Sequence, residues 1–252
     1  MKERIELNSE AISLRKDFGE DVDSPIDIFS LIHNNDDLTI VFYPMSNRVS
    51  GMCIRDGNNK IIGVNSNSTY GRQRFTIAHE LYHLFFHEDF KSIVCSKDLE
   101  ANKDPQEKEA DMFASYFLAP YESLVYFIKN KLKKEKHQLE IEDIVKIEQH
   151  YGLSRQATLW RLINDGYITC EKANTMKTGI IASAIKLGYD DKLYKPTPEE
   201  KQYGTFGKYI KLAEELKTKE LISTGKYEEL LLDGFRADIV YGFNTQEEEN
   251  YD

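Results

Sequence analysis

The sequence predicts an α+β fold: a small three-stranded sheet packed with a helix, then a helix-turn-helix-like segment and a helical C-terminal extension. Two observations carry this expectation. Short β-prone runs cluster between residues 38 and 65, and nearly everything after residue 73 repeats its apolar positions with a helical period. The chain has 252 residues, of which 40% are hydrophobic, long enough to bury a large core without covalent staples.

Taken in order, the first helix is expected over residues 10–18. A second is announced by Ser24-Pro25-Ile26-Asp27, where Ser24 can cap, Pro25 suits the first helical position and Asp27 favours the first turn. The β-prone runs cover residues 38–43, 49–55 and 60–64. The last two are separated by Asp56-Gly57-Asn58-Asn59, a hairpin signal. Helical patterns follow over residues 73–87, 106–118, 122–133, 140–151 and 154–164. After Cys170 the pattern is helical again to Gly188. A linker over 189–205 holds Pro196 and Pro198, and two more helices are expected over 206–219 and 226–239. These boundaries divide the chain into a core over residues 1–135, a helix-turn-helix-like segment over 136–170 and an extension over 171–252. The acidic end, 246–252, is expected to fray.

Composition excludes several classes of function. The three cysteines, Cys53, Cys95 and Cys170, are odd in number and far apart with no CxxC spacing, which argues against a disulfide framework and against a thiolate zinc site. The N-terminal MKERIELNSE has no apolar run, and nothing approaches the roughly 18 consecutive apolar residues of a membrane span, so a cytoplasmic protein is expected. A net charge of −10 argues against non-specific binding to nucleic acid, which needs clustered Lys and Arg.

The segment that carries chemistry is Arg74-Phe75-Thr76-Ile77-Ala78-His79-Glu80-Leu81-Tyr82-His83-Leu84-Phe85-Phe86-His87. It contains His-Glu-x-x-His. At about 100° per residue, His83 lies only about 40° round the helix from His79, so both imidazoles can reach one metal ion. Glu80 lies about 100° from His79, too far round to share their row yet near enough to hold the water that completes a zinc site. Ala78, Leu81, Tyr82 and Phe85 make the opposite arc apolar, which suits a rigidly held helix.

A catalytic zinc usually takes three protein ligands, so a third must lie elsewhere. Asp89 stands where a metzincin pattern has its last ligand, but that pattern needs Gly where this chain has Phe86. His87 is a full turn beyond His83 and reads as a supporting or structural residue. The stronger candidate is in Glu107-Lys108-Glu109-Ala110-Asp111-Met112-Phe113-Ala114. Glu107 and Asp111 are four residues apart on one helical face, so Glu107 could bind the metal while Asp111 accepts the outer N–H of a ligand histidine. Glu109 points roughly 200° away from Glu107.

Residues 74–87 together with EKEADMFASYFLAP (107–120) resemble the ImmA/IrrE family of bacterial and phage zinc metallopeptidases, related to the thermolysin-like gluzincins. Gly51, Asn65 and Arg74 stand where family members commonly carry those residues, and the resemblance covers about residues 5–168. It implies a three-stranded sheet ahead of the motif, zinc held by His79, His83 and Glu107, and Glu80 as catalytic base. Two positions depart from the pattern: Tyr82 replaces a usually small residue, and Asp111 stands where Asn is frequent. The resemblance also implies a substrate, a helix-turn-helix repressor or antitoxin-type regulator encoded nearby.

A helical pair over residues 141–168, joined at Tyr151-Gly152-Leu153 with Ser154 as cap, reads as a helix-turn-helix. Over residues 140–168, Lys146, Arg155 and Arg161 face five acidic residues, Glu140, Glu142, Asp143, Glu148 and Asp165, so a structural or partner-docking use is expected rather than direct DNA binding. The basic run at 129–136 reads as a solvated helix end. The expectation is a zinc-dependent endopeptidase in which Glu80 moves the proton. Its alternatives are a DNA-binding regulator using residues 141–168 and an interaction protein with a structural, non-catalytic zinc.

Overall fold

The computed structural model describes residues 2–33, 35–87, 92–96 and 104–242. Asp89 and the acidic end at 246–252 lie outside the described residues. The first helix, α1, spans Arg4–Asp17 and starts earlier than the sequence reading because Leu7, Ala11 and Leu14 form one buried stripe. Inside it, Arg15 is fully buried; its guanidinium donates to Phe117 O at 2.7 Å and to Asp21 O at 2.8 Å. Helix α2 (Ile28–His33) begins later than expected. Asp27, not Ser24, receives its first free N–H groups, from Phe29 at 3.2 Å and Ser30 at 3.4 Å, which leaves Pro25 outside the helix.

Among the described residues, five strands, rather than three, make one mixed sheet. In chain order they are β1 (Leu38–Tyr43), β2 (Val49–Asp56), β3 (Asn59–Asn65), β4 (Ser92–Ser96) and β5 (Gly204–Gly207), and across the sheet they run β4-β2-β3-β1-β5. The β2–β3 hairpin forms at the expected turn, with Asp56 opposite Asn59 and Gly57 at φ 55°. β1 lies parallel to β3, and the other pairs are antiparallel. The two strands the sequence does not announce are only five and four residues long, too short for alternation to register, and β5 both begins and ends with glycine. They pair because β2 and β1 would otherwise present rows of free N–H and C=O groups. The extension is therefore not wholly helical, since β5 comes from it and sets Phe206 opposite Ile40.

Helix α3 (Tyr70–Phe86) lies across one face of the sheet. That face carries Gly51, Cys53, Ile62 and Val64, while Ile54 and Val94 on the other face are exposed. Gly51 is required by this approach: a Cβ there would stand 2.5 Å from Thr76 Cγ2, 2.8 Å from Gly63 O and 3.2 Å from Glu80 Oε1. Asn65, fully buried at the end of β3, donates to Ser46 O and Val49 O and accepts from the N–H groups of Met45 and Asn67, fixing the β1–β2 connection.

Helix α4 (Pro105–Leu118) packs on both α1 and α3. The helical run expected over 122–133 is split into α5 (Tyr121–Tyr126) and a π-helical turn over Phe127–Lys131. Helices α6 (Ile141–Tyr151) and α7 (Arg155–Asn164) are joined at Gly152, which is left-handed with φ 65°. Arg74 on α3 holds this turn: it donates to Gly152 O at 3.1 Å and to Ile26 O at 2.6 Å. Two of the basic residues on the pair are buried in internal contacts. Arg155 meets Glu148 and donates to Met176 O at 2.8 Å, and Arg161 meets Asp165 at 2.7 Å and Ala119 O at 3.1 Å. Beyond them come α8 (Cys170–Thr175), α9 (Ile180–Lys186), α10 (Lys208–Thr218), α11 (Thr224–Asp233) and α12 (Ala237–Tyr241). No helix among the described residues is long and apolar enough to cross a membrane.

Candidate metal centre

Helix α3 presents His79 and His83 on one row, and their Nε2 atoms lie 3.2 Å apart. Helix α4 brings Glu107 across to them. Its Oε2 is 3.4 Å from His79 Nε2, and its Oε1 is 3.3 Å from His83 Nε2. Four bonds of about 2.0–2.1 Å arranged tetrahedrally have edges of about 3.3–3.4 Å, so the two imidazole nitrogens are spaced like two corners of a zinc-sized tetrahedron, and each faces one oxygen of the Glu107 carboxylate at a similar separation.

The proton arrangement points the same way. His79 Nδ1 is 2.9 Å from Asp111 Oδ1, and a carboxylate only accepts, so Nδ1 is the donor. In the neutral ring this leaves the Nε2 lone pair aimed at the Glu107 carboxylate, two acceptors that attract only through a cation between them. Burial opposes charge on His79, but the hydrogen bonds to Asp111 and Glu107 outweigh it and raise the imidazole well above its ordinary pKa. Burial likewise opposes the Glu107 anion, yet His79 and His83 hold its carboxyl far below the usual range. A divalent cation would satisfy the same polarity. His83 has a companion as well: its Nδ1 is 3.2 Å from Nδ1 of His87, so both candidate ligand rings are held through their outer nitrogens.

Glu80 is fully buried beside β2. Its Oε1 has no hydrogen-bond partner among the described residues, and its Oε2 accepts from Cys95 Sγ at 3.5 Å. Burial, opposed by the His79 charge and by the Cys95 and Cys53 thiols, pushes the Glu80 carboxyl up to about 6. A buried ionisable carboxyl within electrostatic reach of His79 and Glu107 is placed to exchange a proton with a molecule bound there.

Glu109 stands away from the donors. It accepts from Tyr82 OH at 2.7 Å and from Lys2 N at 2.6 Å. This explains the bulky residue within the motif: the Tyr82 ring packs against Phe86 and Phe113 while its hydroxyl ties α3 to α4 behind the site. Arg55 on β2 closes the far end of α3 by donating to the carbonyls of His83 and Leu84.

The model of the Peptidase M78 family, described as an IrrE N-terminal-like domain, matches residues 37–162, half of the 252-residue chain. The chain belongs to this family. The Peptidase M78 match begins just before β1, ends within α7, and contains His79, Glu80, His83, Glu107 and Asp111. No curated protein matches the chain.

One residue at the Peptidase M78 centre is missed by sequence reasoning. Cys95 contributes a donor atom to a group with His79, His83 and Glu107 in which all four atoms lie within 4.8 Å of one another. Counting cysteines by their mutual spacing discards it, because its neighbours in space are histidines and a carboxylate. The available signal is positional: Cys95 lies on the segment between the His-Glu-x-x-His helix and Glu107, which the topology threads past the site.

Proposed function

We propose that this chain is a zinc-dependent endopeptidase that cuts one helix-turn-helix repressor or antitoxin-type regulator. The observation that carries the reading is the cluster of His79, His83 and Glu107, in which the two Nε2 atoms lie 3.2 Å apart and each is 3.3–3.4 Å from an oxygen of the Glu107 carboxylate, with a buried oxygen of Glu80 nearby that has no hydrogen-bond partner among the described residues. Zinc bound there would supply a Lewis acid for the scissile carbonyl and make a water molecule more acidic. Glu80 takes the proton from the attacking water and later delivers it to the leaving amine. A carboxyl raised to about 6 remains mostly ionised at neutral pH and is a stronger base toward the attacking water than an ordinary carboxylate. Asp111 and His87 keep the two imidazoles aimed.

The net charge of −10 supports a basic partner, which a DNA-binding repressor usually is, attracted over the range set by ionic screening. The internal use of Arg155 and Arg161 supports protein docking over phosphate binding for the α6–α7 pair. A cytoplasmic location would bring enzyme and repressor together.

The test combines metal analysis with cleavage. The purified chain should hold one zinc, cut the repressor encoded by the adjacent reading frame at a single site, and leave casein nearly intact. Glu80→Gln should keep the metal and lose the cut. Efficient casein digestion would overturn the specificity, and metal without any cleavage would make the zinc structural.

A further inference from the structure

Cys95 has no part in the chemistry proposed so far, yet the fold aims it at the metal centre. It sits on β4 directly opposite Gly51, the one residue of β2 there that has no side chain to block its path. Next to this pair the register shifts between Val49 and Gly51, a local kink of the kind that re-aims a side chain, and Ser50 Oγ holds the Cys95 carbonyl at 3.1 Å. The thiol is 1% exposed. Its Sγ lies 3.9 Å from Glu107 Oε1, against about 3.6 Å for a sulfur-to-oxygen edge of a zinc tetrahedron with a sulfur bond of about 2.3 Å. Glu80 Oε2 lies 3.5 Å from the same sulfur, so a soft donor and a base stand side by side at the centre.

We propose that Cys95 is a fourth, displaceable donor: the resting protein holds zinc in a closed shell of His79, His83, Glu107 and Cys95, and cleavage requires the sulfur to leave. The proposal rests on the zinc peptidase reading above. Forming the sulfur–zinc bond breaks the S–H bond, and Glu80 Oε2 at 3.5 Å accepts that proton; opening the shell returns it to the thiolate. No oxidant is involved. The strand is suited to letting go. β4 is five residues long and, among the described residues, pairs with β2 alone at the edge of the sheet, so withdrawing Cys95 disturbs one short ladder and none of the other three donors. Basal proteolysis is thereby held low until a partner moves that edge.

The test uses the full chain loaded with Co(II), whose thiolate complexes show a charge-transfer band in the near ultraviolet that nitrogen and oxygen ligands do not produce. The wild-type protein should show the band. Cys53→Ala, which alters a neighbouring buried thiol, should retain it, whereas Cys95→Ser and Cys95→Ala should lose it while still binding cobalt, with affinity lowered tenfold or more. Acetohydroxamate should bleach the wild-type band without releasing the metal. Cobalt bound by the wild type with no thiolate band would overturn the proposal and leave the zinc reading standing. A band that resists acetohydroxamate, together with loss of cleavage in both Cys95 variants, would make the sulfur a permanent ligand and overturn the latency. No cobalt or zinc bound at all would remove both readings. The band is measured on the wild type itself, so the test survives a variant that fails to fold.

Discussion

Replacing Asp111 by Ala removes the carboxylate that fixes His79, and the structure sets the size of the effect. Both side chains are about 95% buried, at 2.9 Å, and the bond is charge-assisted, so no water can take the place of the lost acceptor without rearrangement. The His79 ring then loses its anchored tautomer and the added basicity of its Nε2 lone pair. Partners of this kind are worth roughly 10–100-fold in metal affinity, or about 1.4–2.8 kcal/mol at 1.4 kcal/mol per tenfold. Asp111→Asn separates orientation from charge, because an amide oxygen still accepts from Nδ1; it should retain most of the affinity that Ala loses. The assay is a zinc titration in competition with a chromogenic chelator, with circular dichroism to confirm that each variant is folded. Wild-type affinity in folded Asp111→Ala would refute the argument that the outer hydrogen bond positions the ligand. Equal losses in Asn and Ala would show that charge, not aim, is what Asp111 supplies.

Gly51→Ala should destabilise the protein by about 1–3 kcal/mol through overpacking, a fall of roughly 2–12 °C in Tm by calorimetry; Thr76→Ser should rescue little, because Gly63 O still stands 2.8 Å from the new methyl. Tyr82→Phe should cost about 1.5–3 kcal/mol in a urea melt, since Glu109 loses a charge-assisted partner, while zinc affinity stays unchanged. Zinc affinity should fall with pH from above the ordinary histidine range, because His79 must lose its proton to bind and its pKa is raised; affinity is fullest above that raised pKa and declines as pH drops through it, a trend read by calorimetric titration at several pH values.

What the sequence discloses about the centre follows from how local each signal is. His79 and His83 meet because of helical periodicity alone, which a stretch of five residues suffices to specify, and the same holds for Glu107 and Asp111 on α4. That these two helices face each other is not local, and there the resemblance over residues 74–87 and 107–120 carries the argument. Cys95 escapes because its role depends on where a short edge strand comes to rest in space, whereas His87 is legible as a support from its place one turn beyond His83. The sheet shows the same division. The β2–β3 hairpin is written in Asp56-Gly57-Asn58-Asn59, whereas β4 and β5 exist because edges need partners, a demand made by distant residues. Likewise, nothing around Arg15 announces that its guanidinium will meet a carbonyl at Phe117.

The pairing of β5 with β1 has a consequence for how the molecule is assembled during synthesis. Every donor of the centre leaves the ribosome well before residues 204–207, so for that interval β1 is a bare edge with its N–H and C=O groups unclaimed. A fragment trimmed to the matched residues 37–162 would keep all the donors and make that interval permanent, and it would also lack Arg15, which closes the end of α4. Such a fragment is expected to self-associate in light scattering under conditions where the whole chain does not, the free edge recruiting strands from other copies.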